Sequence, residues 1–460
     1  MLNAVFDRFV DQSPVTVMVG GLLERVMTPE KLDAWFEQTA EEQYTRTLLF
    51  STVFDLMSQV VCGIRPSLHA AYQANVAEVG VSIKSVYNKL NSLEAPTSSA
   101  LVGYSATCLD PIVSQMGGTL PPAVPGYRLK IVDGNCLSAT QHRLSELRVL
   151  SSGALPGKSL VVYDPARQMA IDAICCEDGH VQERALFDHL LTRVEANDVW
   201  MGGIGTSVRG RFCVASKPDP PISLSDIIRT CPGKRLAFSS NKGALRPGWV
   251  HEQRVRIRDE DGVCHRWRRI VLKLDQPTRE GDTEIVLLSN LPEGAATAKQ
   301  IAQLYRQRWS IEQAFQELAE HLNAEINTLG YPSAALFAFA LALVAYNILA
   351  VVKAALRCVH GVEKIEQEFS GYYLANEIAT TYRGMMIAIP PEQWGIFRQW
   401  TISQLVQMLR QLADKVNLRH FKKHPRGPKK PRPKRQKDET KPHVSTARLL
   451  AKRKIAKKKP

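Results

Sequence analysis

Tyr305–Leu318 reads YRQRWSIEQAFQEL. Tyr305, Arg308 and Glu312 fall at i, i+3 and i+7, a spacing that puts a phenol, a guanidinium and a carboxylate along one face of a helix. An Arg308–Glu312 ion pair at i, i+4 is the simplest use of two of them. It does not account for Trp309, Ile311 and Phe315, which make the flanking positions apolar around a polar line.

A second acid stands far upstream. In RLKIVDGN, Asp133 closes an apolar strand and is followed by Gly134 and Asn135. An acid at the end of a buried strand lies at the sheet edge where α/β folds bind ligands, although a strand-ending Asp-Gly also serves as a plain turn. Further short apolar runs, SLVVYDP, MAIDAICCEDG and NDVWMGG, read as strands, some buried on both faces. The run LFDHLLTRVEA, Leu186 to Ala196, reads as a helix between the last two. From about Trp249 to Leu291 the pattern alternates, with Asp261–Gly262 at a hairpin turn, and helices resume at Ala295. A β-rich block thus divides an α/β domain into two parts.

Before Pro121–Pro122 the pattern is helical. In LLERVMTPEKLDAWFEQTA, Thr28 caps a helix and Pro29 occupies its first turn. Val81–Leu93, VSIKSVYNKLNSL, carries Ser, Lys, Tyr and Asn on one face and suits either DNA recognition or an ordinary helix surface. Ala334–Val352 is apolar enough to span a membrane. Its Ala content, Tyr346 and Asn347, and its isolation in the chain favour a buried central helix.

Composition narrows the class. The 460 residues are 45% hydrophobic, enough for two to four domains with sizeable cores. Nine cysteines at irregular spacing, with no CxxC pair, favour reduced thiols over disulfides or a zinc site. Met1–Pro14 lacks a basic start followed by an apolar run, so a cytoplasmic location is expected. Of the 59 Lys and Arg, eighteen lie between Arg419 and Pro460 against only Asp438 and Glu439, so the tail carries the whole net charge of +14.

The run Y-x2-R-x3-E within YRQRWSIEQAFQEL resembles the C-terminal motif of insertion-sequence transposases of the IS-four family, of the DDE type. That family also has a strand-ending Asp-Gly, as in IVDGN, and a stretch like LPGKSLVVYDP, Leu155 to Pro165. The resemblance implies an RNase H-like catalytic domain interrupted by a β-rich insertion, in which three carboxylates hold two Mg²⁺ or Mn²⁺ ions. Hard cations take oxygen ligands, and two of them activate the attacking oxygen and stabilise the leaving one. By resemblance, Asp133 and Glu312 are catalytic metal ligands, and Tyr305 and Arg308 contact DNA phosphates. The family's Lys seven residues after the Glu is Ala319 here.

The family's second Asp follows a short apolar strand and heads an Asp-Arg-Asn-Phe-like run. Here that strand is Asp198–Met201, and the position holds Gly203 in GGIGTSVRGRF. Asp198 stands at the far end of the strand, well over about 10 Å away at about 3.3 Å per residue. Asp219 and Asp226 lie in a Pro-rich stretch with no better claim. Residues 202–240 hold Pro218, Pro220, Pro221 and Pro232 and show no sustained alternation. One hypothesis covers both anomalies: two compensating frameshifts, near Gly202 and before about Asn241. Read one nucleotide earlier, with suitable wobble bases, codons for Gly203 to Ser207 can spell the missing run. The nucleotide sequence across this stretch decides it, and codons unable to spell the motif in that frame would sink the idea.

The last stretch, HFKKHPRGPKKPRPKRQK and then RLLAKRKIAKKKP, combines dense charge with prolines and is expected to be disordered. Its Lys422, Lys423, Lys429, Lys430, Arg432, Lys434 and Arg435 are candidate phosphate contacts giving sequence-independent, salt-dependent affinity, with a solubilising tail as the plainer reading. The expected organisation is a helical DNA-binding domain at 1–125, catalytic segments at 126–205 and 293–360, and an insertion at 206–292. C-terminal helices at 361–418 and the basic tail at 419–460 complete it. The expected partners are the inverted-repeat ends of the element and target DNA, with a homodimer on DNA and a place at the nucleoid. A catalytically dead DNA-binding remnant is the alternative, whereas an RNA-binding protein lacks an RNA-type aromatic motif. Trp249 and Trp267 are read as core or, by analogy, as contacts to a flipped base.

Overall fold

The computed structural model describes the chain except residues 1, 44–46, 138–143, 145–146, 148–152, 192, 204–210, 216–237, 246–247, 259–263, 277–282, 327, 425–442 and 459–460. Eight helices come first: α1 (Ala4–Gln12), α2 (Pro14–Val26), α3 (Pro29–Thr39), α4 (Phe50–Val61), α5 (Leu68–Ala74), α6 (Val76–Val79), α7 (Ile83–Asn91) and α8 (Ala95–Met116). The Thr28 side chain accepts from the Lys31 backbone N–H at 3.3 Å and Pro29 follows, so the expected start of α3 is present.

Strands β1 (Arg128–Cys136), β2 (Ala154–Leu155), β3 (Lys158–Asp164) and β4 (Met169–Cys176) follow, then helix α9 (Arg184–Leu191) and β5 (Asp198–Gly203). Helix α9 is shorter than the expected Leu186–Ala196: the chain turns after Leu191, and Asn197 takes a left-handed φ of 65°. Strands β6 (Arg211–Ala215), β7 (Phe238–Leu245), β8 (Gly248–Arg258), β9 (Cys264–Leu274) and β10 (Glu284–Ser289) complete one nine-stranded sheet, ordered β4-β3-β1-β5-β6-β10-β9-β8-β7. Strand β1 runs parallel to β5 and antiparallel to β3, and β6 runs parallel to β10. The β-rich block therefore continues the same sheet. Residues 202–240 are also not strandless: RFCVA, rich in β-favouring residues, supplies β6 between β5 and β10. The Asp261–Gly262 turn lies outside the described residues.

Helices α10 (Ala298–Gln307), α11 (Trp309–His321), α12 (Pro332–His360), α13 (Val362–Glu368), α14 (Gly371–Ala388), α15 (Pro391–Gln399) and α16 (Ile402–Lys415) follow. Helix α12 is long and apolar enough to cross a membrane, but 83% of its most apolar window is buried in the protein. It packs against α8, α16, α4 and β4, so its all-round apolar surface has partners on every side. Asn347 is fully buried there, and its amide accepts from the Ala170 N–H and donates to the Ala170 carbonyl and to Ser105.

The N-terminal helices share this core with α12 and the C-terminal helices. A Cβ on Gly20 or Gly21 would lie within 2.6 Å of the Trp394 or Phe397 ring, so only glycine lets α2 approach α15 this closely. Each buried ring of this kind contributes roughly 1.5–3 kcal/mol.

The tail departs from its expected disorder. After α16 come a 3-10 turn (Leu418–Phe421), strand β11 (Val444–Ser445) and helix α17 (Thr446–Lys458). Val444 and Ser445 pair in parallel with Ala154 and Leu155, and the buried Thr446 opens the helix. Proline-poor sequence after His443 permits this, whereas residues 425–442 lie outside the described residues.

Candidate active site

The Thr297–Gln300 capping box starts α10, with both reciprocal hydrogen bonds formed. The helix expected through Tyr305, Arg308 and Glu312 is interrupted at Arg308, which joins α10 to α11 with φ −53° and ψ −31°. That backbone is still right-handed helical, so the three side chains remain on one side. Arg308 Nε donates to the Tyr305 hydroxyl at 3.0 Å, Nη1 to Asp133 Oδ2 at 2.9 Å, and Nη2 pairs with Glu312. Tyr305 is almost wholly buried, while Trp309 is 59% exposed.

Along β1, Ile131 points into the core shared with the helices, and Val132 points into a smaller core with Leu160, Trp200, Leu186 and Phe187 beside α9. Alternation along the strand returns Asp133 to the Ile131 face, where it meets Arg308. The structure thus brings Asp133, Arg308, Tyr305 and Glu312 together across 175 residues of sequence.

Burial pushes the Asp133 carboxyl up to about 6; the Arg308 charge pulls it down, and Glu183 and Glu312 push it further up. Glu183 was not anticipated from the sequence. A Cβ on Gly134 would lie 2.4 Å from the Glu183 carboxyl carbon, so glycine at 134 admits this acid against the strand. Because the folded value lies above the ordinary 3.8, the folded state binds more protons between pH 3.8 and about 6, and stability falls as pH rises through that window. Asp133→Asn is predicted to stabilise the metal-free protein by about 1–3 kcal/mol at pH 7.5 and to have no effect below pH 3.8. Urea unfolding in EDTA at both pH values tests this; a less stable variant at pH 7.5 would mean that the Arg308 ion pair outweighs burial.

The vacant position falls beside Asp133. The β1–β5 ladder pairs Val132 with Gly202, so one further step sets Gly203 next to Asp133 on a neighbouring parallel strand, at about 4.8 Å spacing. Residues paired across such a ladder face the same side, and Gly203 offers that side no carboxylate. Asp198 pairs with Arg128 at the other end of the ladder and is buried against Lys130 at 2.6 Å and Arg128 at 3.0 Å. Asp219 and Asp226 lie outside the described residues.

These residues do not fit a two-ion centre. Asp133 and Glu312 already share one guanidinium, and the third acid nearby, Glu183, packs at Gly134 on the other face of β1, 3.6 Å from Lys158. Among the described residues no three His, Cys, Asp or Glu side chains are grouped to hold a metal ion.

Of the candidate phosphate contacts in the tail, the described Lys422 and Lys423 are not part of this cluster. Lys422 forms a strand bridge with Phe369, and Lys423 donates to the Glu366 carbonyl at 2.7 Å. Lys429, Lys430, Arg432, Lys434 and Arg435 lie outside the described residues. In α7, Val86 and Leu90 are buried while Lys84, Ser85 and Asn88 are exposed. Trp267 is core, and Trp249 is 61% exposed.

No curated protein matches the chain. A family model described as a transposase DDE domain matches residues 223–348. The match takes in Tyr305, Arg308 and Glu312, begins inside the segment suspected of being out of frame, and leaves Asp133 and Gly203 outside. The match therefore identifies a transposase DDE domain within residues 223–348.

Proposed function

We propose that this chain is an insertion-sequence transposase, of the IS-four kind, that binds DNA but does not cut it as translated. DDE transposases act on DNA phosphodiesters by hydrolysis and transesterification with divalent metals. One observation carries the proposal: the position adjoining Asp133 on β5 is Gly203, and Arg308 bridges the two remaining acids. A guanidinium between two carboxylates satisfies them electrostatically in place of a cation, and it is always charged. In this reading the sheet and α11 form the RNase H-like body, with β6–β9 as its insertion. Element ends and target DNA are the partners, and assembly on DNA is as a homodimer at the nucleoid.

The test uses purified full-length chain with a supercoiled plasmid in Mg²⁺ or Mn²⁺, alongside binding to a linear duplex. Binding at low salt with nicking at background is expected. Normal turnover abolished by Asp133→Ala would contradict the proposal.

A further inference from the structure

Resting on that reading, we propose that α17 is a docked phosphate-binding helix that holds duplex DNA beside the Asp133 end of the sheet. Its start is held by three contacts. Strand β11 pairs with β2, and the Val444 N–H donates to the Gly153 carbonyl at 3.1 Å. Ser445 and Thr446 are buried, which seats the start of the helix. Arg448 Nε donates to Asp178 Oδ2 at 2.7 Å.

The docking point lies at the catalytic end of the sheet. Strand β2 sits three residues before Lys158, whose partner on β1 is Cys136, three residues after Asp133. Two three-residue runs and two strand spacings bound the distance from Asp133 to β11 at about 30 Å. One turn of duplex is about 34 Å, so DNA with a phosphate at Asp133 is long enough to reach the start of α17 within a single turn.

The surface offered there is cationic. Beyond the Arg448–Asp178 ion pair, Lys452, Arg453 and Lys454 are exposed on α17, and the described part of the helix carries no acid. A duplex presents one negative charge per about 1.7 Å of axis, which is the partner this surface complements. A loosely tethered basic arm would bind phosphates anywhere, whereas a docked helix fixes where along the duplex the charges act.

The test is hydrogen exchange of the full chain with and without a 30-base-pair duplex, combined with binding measured over a salt series. Expected are slowed exchange across residues 446–458 on adding DNA, and a fall of about 1–2 in the slope of log affinity against log salt for Lys452→Gln/Arg453→Gln/Lys454→Gln, since successive residues of a helix do not share one face. Val444→Pro, which removes the donor to Gly153 and keeps every charge, should speed exchange of α17 in the absence of DNA. Saturating DNA that leaves 446–458 unchanged, or a triple variant with the parent slope, overturns the role of α17 alone. Tighter binding of a single-stranded RNA of equal length, with the same protection, overturns the assignment to DNA. Failure of the full chain to bind duplex at low salt overturns the transposase reading with it.

Discussion

Gly203→Asp is expected to give the chain metal-dependent nicking activity at least about 100-fold above its own background, since a missing ligand should exceed the 10–100-fold that outer-shell partners contribute. The β1–β5 register puts the new carboxylate on the strand next to Asp133 and on the same side. With a third acid on the Asp133 side of the sheet, oxygen ligands for divalent ions outnumber what one guanidinium can neutralise, and Arg308 becomes available to a phosphate. Gly203→Asn, of the same shape but without charge, should stay at background. Adding Asp133→Asn to Gly203→Asp should return the activity to background. Equal activity of the Asp and Asn variants would sink this account of the vacancy.

The largest stability effect is expected at Arg357. Its side chain, 1% exposed, sits near the end of α12 and donates to the Gly118 carbonyl from both Nε (3.1 Å) and Nη2 (2.7 Å), while Nη1 reaches Gln168 at 2.9 Å and Glu366 at 3.2 Å. One planar fork thereby ties the end of α8, the turn between β3 and β4, and α13 to the central helix. Arg357→Ala leaves the Gly118 carbonyl without these donors and Glu366 with Lys353 and Gln168 alone. Removing one partner of a buried ion pair costs about 3–5 kcal/mol. Arg357→Lys should recover less than half of that, because an ammonium lacks the planar fork that meets three acceptors at once. Urea unfolding at pH 7 measures both; an Arg357→Ala protein within about 1 kcal/mol of the parent would contradict the assignment.

Elements whose signal is local were legible in the sequence. Apolar runs gave β1, β3, β4 and β5, Thr28 and Pro29 gave the start of α3, and the composition of Ala334–Val352 gave a buried central helix. The meeting of Asp133 with Arg308 and Glu312 was legible only through the family resemblance, because nothing local records a contact across 175 residues. Three features were not legible. Strand β11 is two residues long and exists only because β2 offers it an edge, so no periodicity announces it. The interruption at Arg308 leaves the apolar spacing of α10 and α11 unchanged, since the residue itself stays helical. Glu183 reaches the site through the missing side chain of Gly134, a space that sequence spacing does not encode.

The central claim is that the acids of this site do not hold the metal pair that DNA cutting requires. Titration of Mn²⁺ into the full chain, followed by electron paramagnetic resonance, tests it most directly. The account predicts no submillimolar Mn²⁺ site that Asp133→Asn removes, and such a site in Gly203→Asp. Two Mn²⁺ bound below millimolar concentration by the chain as it stands, and lost in Asp133→Asn, would contradict it.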